Sequence, residues 1–359
     1  MDREALAALL GVHAAVGVLK AVAEPTRLRL LALLARGELN VKDLTRILNQ
    51  SQPRISRHLK LLADAGLVER APEGSWVYFR LAETGPGREV ASLILKFLHL
   101  DDPVVVRDRN RAESVQEERQ EAAQSYFRGH AAEWDRIRAL HVAEAEVEAA
   151  VLEALGPGPF DVLVDLGTGT GRMLELFGPR FRRGLGLDLN PAMLAYARAK
   201  LERAGLTNAQ VRQANLYDLP LADRSADAVV MHQVLHFLSD PQRAVREAAR
   251  VLAPGGRLLI VDFAPHELEF LREDFAHERL GFAGPLIAQW FTDAGVDLIE
   301  TRELAPEAHG QTGKLTVSLW LAGRPPTTDK TFDTTTGKAA GAREEGSTTG
   351  DERKLEKTA

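Results

Sequence analysis

Val162-Leu163-Val164-Asp165-Leu166-Gly167-Thr168-Gly169-Thr170-Gly171 is an apolar run that ends in an acid and a glycine-rich turn, and a helical pattern through Met173, Leu174 and Leu176 follows it. The apolar run suits a buried strand, and the glycines let backbone approach a ligand closely. Gly186-Leu187-Asp188 then places a carboxylate at the end of the next strand-like run, about where an acid holds two ribose hydroxyls. The glycine turn alone is a weak signal. Coupled to Asp188, it indicates a nucleoside site.

Outward from that turn, strand-like runs alternate with helical ones at 160–166, 183–188, 209–214, 227–231, 256–263, 296–304 and 315–322. This alternation predicts an α/β sheet domain. Upstream, residues 1–100 read as short helices and one hairpin. Pro25 and Gly37 bracket a leucine-rich helix, and Val41, Leu44, Ile47 and Leu48 keep helical spacing in the next. After Asn49-Gln50-Ser51 comes a third helix with Pro53 in its first turn, and strands at 67–70 and 76–80 flank a Pro72-Glu73-Gly74-Ser75 turn, a wing. Between the two parts lies a helical, highly charged stretch with Arg107, Arg109, Arg111, Glu117, Glu118 and Glu121, read as a solvated linker helix that spaces the domains. The end of the chain, rich in Thr, Gly, Lys and Glu, has too little apolar content to offset ordering entropy.

The expected division is therefore 1–100 for the helical domain with its hairpin, 101–125 for the linker, 126–324 for the nucleoside-binding domain and 325–359 for a disordered tail. At 359 residues the chain has room for two cores. Its net charge of −6 conceals an asymmetry: residues 1–100 hold 14 Lys and Arg against 10 Asp and Glu, and the remainder 31 against 41. A basic domain on an acidic chain implies a polyanion partner for that domain alone. No apolar run is long enough for a membrane span, the amino-terminal stretch lacks the pattern of a signal peptide, and there are no cysteines. These features predict a cytoplasmic protein with no membrane partner, no disulfides and no thiolate chemistry.

No acid falls between Asp43 and Asp64, whereas Arg46, Arg54, Arg57 and Lys60 do, interleaved with Ser51, Gln52, Ser56 and His58. On a helix, Gln52, Ser56 and Lys60 share one face and Ile55, Leu59 and Leu62 the opposite, so polar side chains can enter a major groove. Arg70, Ser75 and Arg80 on the hairpin can touch neighbouring backbone. Taken singly, such a helix is equally a solvated face.

Ala23-Glu24-Pro25-Thr26-Arg27-Leu28-Arg29-Leu30-Leu31, Ser51-Gln52-Pro53-Arg54-Ile55-Ser56-Arg57-His58-Leu59-Lys60 and Ala65-Gly66-Leu67-Val68 resemble the ArsR/SmtB repressors over about the first hundred residues. The resemblance implies a winged helix-turn-helix, a recognition helix at 52–64, a homodimer through the terminal helices, and double-stranded operator DNA as partner. Dimers of this kind bind half-sites about 34–36 Å apart. The family's metal-sensing cysteines are absent, with Asn40 and Lys42 in their stretch; His99, Asp101 and Asp102 are scattered donors common at helix ends, so no metal site is expected.

The GxGxG spacing preceded by Asp165 resembles motif I of class I methyltransferases, and the likeness runs from Tyr126 to Leu321. It implies a Rossmann-like, seven-stranded fold that binds S-adenosylmethionine (SAM) or S-adenosylhomocysteine (SAH). By it Asp165 and the Gly167-Thr168-Gly169 backbone hold the methionine part, with Gly171 closing the turn; Asp188 and Leu189 take the ribose, Asn215 and Leu216 flank the adenine, and His232 ends the fourth strand beside the cofactor. Asn215 stands where most relatives have aspartate; its carbonyl also accepts from an adenine amino group, without the charge. Ala253-Pro254-Gly255-Gly256 resembles the turn into the family's fifth strand.

Gln233, His236, Asp262 and His266 follow the fourth and fifth strands on the substrate side, and Tyr126 and Trp134 can form a lid. Packing roles remain open for all of these, and no catalytic residue is singled out. His232 and His236 have zinc-protease spacing, but Gln233 replaces the required glutamate. Arsenite methylation lacks its cysteines, and DNA methylation lacks its Asn/Asp-Pro-Pro-aromatic motif. Two functions then remain: a regulator that couples operator binding to SAM or SAH, and a working methyltransferase for a small-molecule acceptor, whose winged helix serves dimerisation or autoregulation.

Overall fold

The computed structural model describes residues 11–73, 76–82, 85–135, 144–305 and 315–326. Ser75, the middle of the expected wing turn and the expected tail from 327 onward lie outside them.

The amino-terminal part forms α1 (Val12–Val22), α2 (Pro25–Leu34), β1 (Leu39–Asn40), α3 (Val41–Leu48), α4 (Gln52–Asp64), β2 (Val68–Glu73), β3 (Trp76–Leu81) and α5 (Gly85–Phe97). Two of these helices start on a capping side chain. Glu24 accepts the Arg27 N–H ahead of Pro25, and the Asn40 side chain accepts the Asp43 N–H, which satisfies donors the first turn leaves unpaired. Asn49 ends α3 in a left-handed conformation, φ 52°, turning the chain into α4. Leu30, Leu31, Leu44, Ile47, Ile55, Leu59 and Leu62 are fully buried in one core, each contributing on the order of 1.5–3 kcal/mol. The β2–β3 ladder and β1 make a three-stranded sheet in the order β1-β3-β2.

The linker reading needs correction. One helix, α6 (Pro103–His130), runs from this core past residue 125 without a break. Asp108, Ala112, Val115 and Ala123 form a buried stripe along it, and Ala112 and Val115 pack into the amino-terminal core. Asp108 holds Arg29 through two hydrogen bonds, 2.5 and 2.7 Å, and Arg111 donates to the Ile47 carbonyl at 3.2 Å. The stripe is thin and made of small or polar residues, so the surrounding charges mask it. The helix is a shared beam, not a spacer.

Beyond α7 (Glu144–Leu155) the chain alternates β4 (Phe160–Leu166), α8 (Arg172–Phe177), β5 (Phe181–Asp188), α9 (Pro191–Arg203), β6 (Ala209–Gln213), β7 (Ala226–His232), α10 (Pro241–Val251), β8 (Leu252–Phe263), α11 (Phe270–Asp274), α12 (Gly284–Asp293), β9 (Asp297–Leu304) and β10 (Val317–Gly323). The seven strands lie in the order β6-β5-β4-β7-β8-β10-β9. All neighbours are parallel except β10, which runs antiparallel to both β8 and β9. Apolar clusters cover both faces of the sheet. Connections leave β4 toward β5 on one side and reach β7 on the other, so a crevice opens at the carboxyl ends of these strands, the usual ligand position in open α/β sheets.

Candidate functional site

The crevice is a cleft of about 1080 Å³, its open mouth included. The turn after β4 forms its floor. Gly167 has φ +74°, and a Cβ there would lie 2.3 Å from Val234 Cγ2, so only glycine fits. The Gly167 and Thr168 amides both donate to the Leu187 carbonyl, at 2.8 and 3.0 Å. Asp165, almost wholly buried, accepts the Thr168 hydroxyl at 2.6 Å. Gly171 does not line the cleft; at φ +82° it seats α8 against Ala197.

Asp188 closes one wall. Its carboxylate accepts the Gly169 N–H at 2.9 Å and the Asn190 N–H at 2.8 Å. Burial pushes its pKa above the ordinary carboxylate range, and these backbone donors only partly oppose that. Leu189, Asn215, Leu216 and His232 line the same cleft. The Asn215 Oδ1 accepts the Tyr217 N–H at 3.0 Å, which fixes the carboxamide and leaves its carbonyl a second lone pair.

Further groups line the cleft. Arg119, Gln124 and Phe127 come from α6, Phe237 from the turn after β7, and Glu278 from the loop after α11. Phe127 meets Trp134 and Phe237 edge-on, with centroids 5.2 and 4.8 Å apart. Arg119 reaches across: its guanidinium lies 2.5 Å from Asp43 of α3 and 3.1 Å from Glu278. Burial raises the pKa of both acids, although Arg119 opposes this.

A charged seam continues from there between the winged helix and the sheet domain. Arg279, buried, lies 3.1 Å from Glu73 of β2, binds Glu38 as well, and sits 4.1 Å from the Tyr78 ring. Burial disfavours its charge, yet the two carboxylates hold its pKa above the usual value. Arg272 binds Glu73 at 2.8 Å and stacks on Trp76 at 4.4 Å. The Tyr78 hydroxyl donates to the Glu278 carbonyl at 3.0 Å, and Leu280 N–H to Glu73 at 2.6 Å.

Of the substrate-side candidates, Tyr126, Trp134, Gln233 and His236 come together in a second, smaller pocket. Asp262 lies behind it and binds His236. His266 lines neither cavity; its Nδ1 accepts the Leu268 N–H at 3.3 Å, and burial pushes its pKa down to about 4.

On α4, Ser51, Gln52, Arg54, Ser56, Arg57 and Lys60 are exposed, as is Arg70 on β2, while Ile55, Leu59 and Leu62 face the core. Arg54, Arg57, Lys60 and Arg70 have no ion-pair partner among the described residues. Three other cations or near-cations have acidic partners. His58 is turned against Glu24 at 3.7 Å, and burial lowers its pKa; Arg80 is tied to Glu69 at 3.0 Å and Glu38 at 3.4 Å; Arg46 reaches Glu118 at 2.6 Å.

Comparison with known proteins agrees with both halves. A family described as "Bacterial regulatory protein, arsR family" matches residues 24–70, and one described as "Methyltransferase domain" matches residues 164–260. The uncharacterized methyltransferase YcgJ of Bacillus subtilis is 34% identical over 106 residues, 29% of this chain and 42% of that protein, so the match spans less than half of its length. The demethylmenaquinone methyltransferase of Tropheryma whipplei is 32% identical over 170 residues, 45% of this chain and 70% of that protein. The crystal structure of the Bacillus YcgJ protein covers 50% of this chain and 99% of its own, with 21% identity and a TM-score of 0.43. No helix among the described residues is long and apolar enough to cross a membrane. The chain belongs to the class I SAM-dependent methyltransferases and carries an ArsR-family helix-turn-helix ahead of that domain.

Proposed function

We propose that this chain is a DNA-binding transcriptional regulator whose cleft takes SAM or SAH and whose operator affinity follows the occupant. The observation that carries this reading is Arg119: one guanidinium lines the cleft, binds Glu278 on the cleft wall and grips Asp43 on the helix before the recognition helix.

The donor set fits the ligand. Asp188, Asn215 and Leu216 all line the cleft; in this reading the carboxylate meets ribose hydroxyls and the other two flank adenine. Because the Gly167 and Thr168 amides are spent on Leu187, the turn offers carbonyl oxygen to an ammonium, and Arg119 suits a carboxylate. The rings of Phe127, Trp134 and Phe237 surround the remaining space, and aromatic faces attract a sulfonium cation. When bound, SAM supplies a positively charged, transferable methyl group, which SAH lacks.

The exposed cations of α4 and Arg70 would meet operator phosphates, with Gln52 and Ser56 toward base edges. Val12, Val16 and Leu19 on α1 and Phe97 on α5 are exposed apolar side chains, supporting a homodimer through these helices. A Phe97→Glu change is expected to shift the protein toward monomer in sedimentation. Operator affinity measured without ligand, with SAM and with SAH tests the main proposal. Distinct curves support it, and three superimposable curves overturn it.

A further inference from the structure

We infer that the second pocket is an acceptor site for a planar phenol, with His236 as the base that removes its hydroxyl proton. This rests on the SAM-binding reading of the neighbouring cleft, because the two cavities share Trp134, Gln233 and Phe237 as walls.

Three observations carry the inference. The first is shape and chemistry: Tyr126, Phe237, Phe263 and Phe275 supply ring faces and edges, with His277 parallel to Phe263 at 14°. Such walls favour a flat aromatic ligand. The second is the ring of His236, which is 2% exposed. Its Nδ1 lies 2.8 Å from Asp262 Oδ1, and Asp262 is wholly buried. The Nδ1–H donates to the Asp262 carboxylate, which leaves Nε2 as the basic nitrogen of the imidazole, and Nε2 has no hydrogen-bond partner among the described residues. Asp262 is itself held by the Phe263 N–H at 2.8 Å and the His236 N–H at 3.3 Å, which makes it a positioning residue. The third is the shared wall. Gln233, buried at the junction, is a non-glycine residue at φ +52°; its N–H donates to the Val261 carbonyl at 2.7 Å. A backbone strain of this kind persists where the surroundings over-determine it, often at ligand sites.

The transfer balances without a further reactant. The phenol oxygen forms a bond to the methyl carbon as the methyl–sulfur bond breaks, and the hydroxyl proton passes to His236 Nε2 and then to water. The products are the aryl methyl ether, SAH and one proton.

The experiment uses the full chain and two phenols of similar size, one with a pKa near 10 and one nitro-substituted with a pKa near 7. Calorimetry first reads the heat of SAM alone, then of each phenol alone; methyl-ether formation is followed from pH 6 to 10. With wild-type protein we expect phenol heat and turnover of both. His236→Asn should keep the SAM heat and lose about 10²–10⁴-fold with the weakly acidic phenol, but under tenfold with the nitrophenol, which ionises at far lower pH. Its rate with the weak acid should climb toward pH 10. Asp262→Asn should give the same pattern, diminished. Equal losses for both phenols, or no phenol heat and no ether from wild type while SAM heat remains, overturn the inference. Absence of SAM heat would instead defeat the reading on which it rests.

Discussion

Replacing Arg119 by methionine keeps an unbranched apolar stem and removes the cation that joins Asp43 to Glu278. Asp43 is 2% exposed, and its carboxylate meets the guanidinium at 2.5 Å. Removing one partner of a buried ion pair costs on the order of 3–5 kcal/mol. Proton uptake limits that cost. Burial already holds the Asp43 pKa above the ordinary value, and without Arg119 it rises further. The folded variant then binds a proton that the unfolded chain does not, so its stability increases as pH falls through the folded-state pKa. We expect Arg119→Met to destabilise by about 3 kcal/mol at pH 7.5, with the deficit shrinking by up to about 1.4 kcal/mol for each unit of acidification toward pH 5.5.

Urea denaturation followed by tryptophan fluorescence checks this, since Trp76 lies 5.7 Å from the Arg119 guanidinium. Asp43→Asn removes the charge that needs a partner, so in the double variant most of the loss should return, giving a coupling of roughly 1–3 kcal/mol. Additivity within about 0.5 kcal/mol, or a deficit that does not change between pH 7.5 and 5.5, would refute the reasoning.

The cleft and the recognition helix give three further expectations. Gly167→Ala places a Cβ 2.3 Å from Val234 at a backbone angle alanine disfavours; calorimetry should show SAM affinity lowered more than tenfold, with operator binding of the unliganded protein retained. Arg57→Ala on the exposed face of α4 should weaken DNA binding of every sequence alike and reduce the slope of log K against log salt by about 0.9 per protomer, read by fluorescence anisotropy. Asp188 binds ribose as the carboxylate, and burial raises its pKa in the unliganded cleft. SAM affinity should therefore be full above that pKa and fall up to about tenfold per pH unit below it, a dependence that Asp188→Asn should flatten.

The strands were legible because their side chains report burial directly. Val162-Leu163-Val164 reads as a strand, and β4 forms there. The glycine turn and Asp188 were equally plain, since strained backbone and a strand-end acid are local features. Arg119 was not legible. It sits in a helix crowded with charge, and its partners Asp43 and Glu278 lie 76 and 159 positions away, so nothing nearby in sequence sets it apart from Arg107 or Arg109. The same holds for Glu38 and Glu73, which meet Arg279 more than 200 positions further along the chain. His58 and Arg80 show the opposite case. Their residue type and position suited DNA, yet Glu24 and Glu69 are close enough in the fold to claim them. Composition reveals a surface only when tertiary partners do not intercept it.

A seam built from buried ion pairs contributes little more stability than apolar packing of equal volume would; what it adds is sensitivity to charge nearby. SAM carries one positive charge more than SAH. Two unit charges about 8 Å apart at an effective dielectric of about 20 interact by about 2 kcal/mol, close to a 30-fold change in an equilibrium, which sets the scale such a charge could reach. A complete switch from 1:99 to 99:1 needs about 5.5 kcal/mol. Electrostatics across Arg119 and Glu278 therefore allows a graded response at most, and the prediction is that operator affinities for the SAM-bound and SAH-bound forms differ by no more than roughly 30-fold at low salt. The difference should shrink in Arg119→Met. A ratio near 10⁴ that survives the substitution would show that the occupant acts through rearrangement of the domains and not through the charge at the seam.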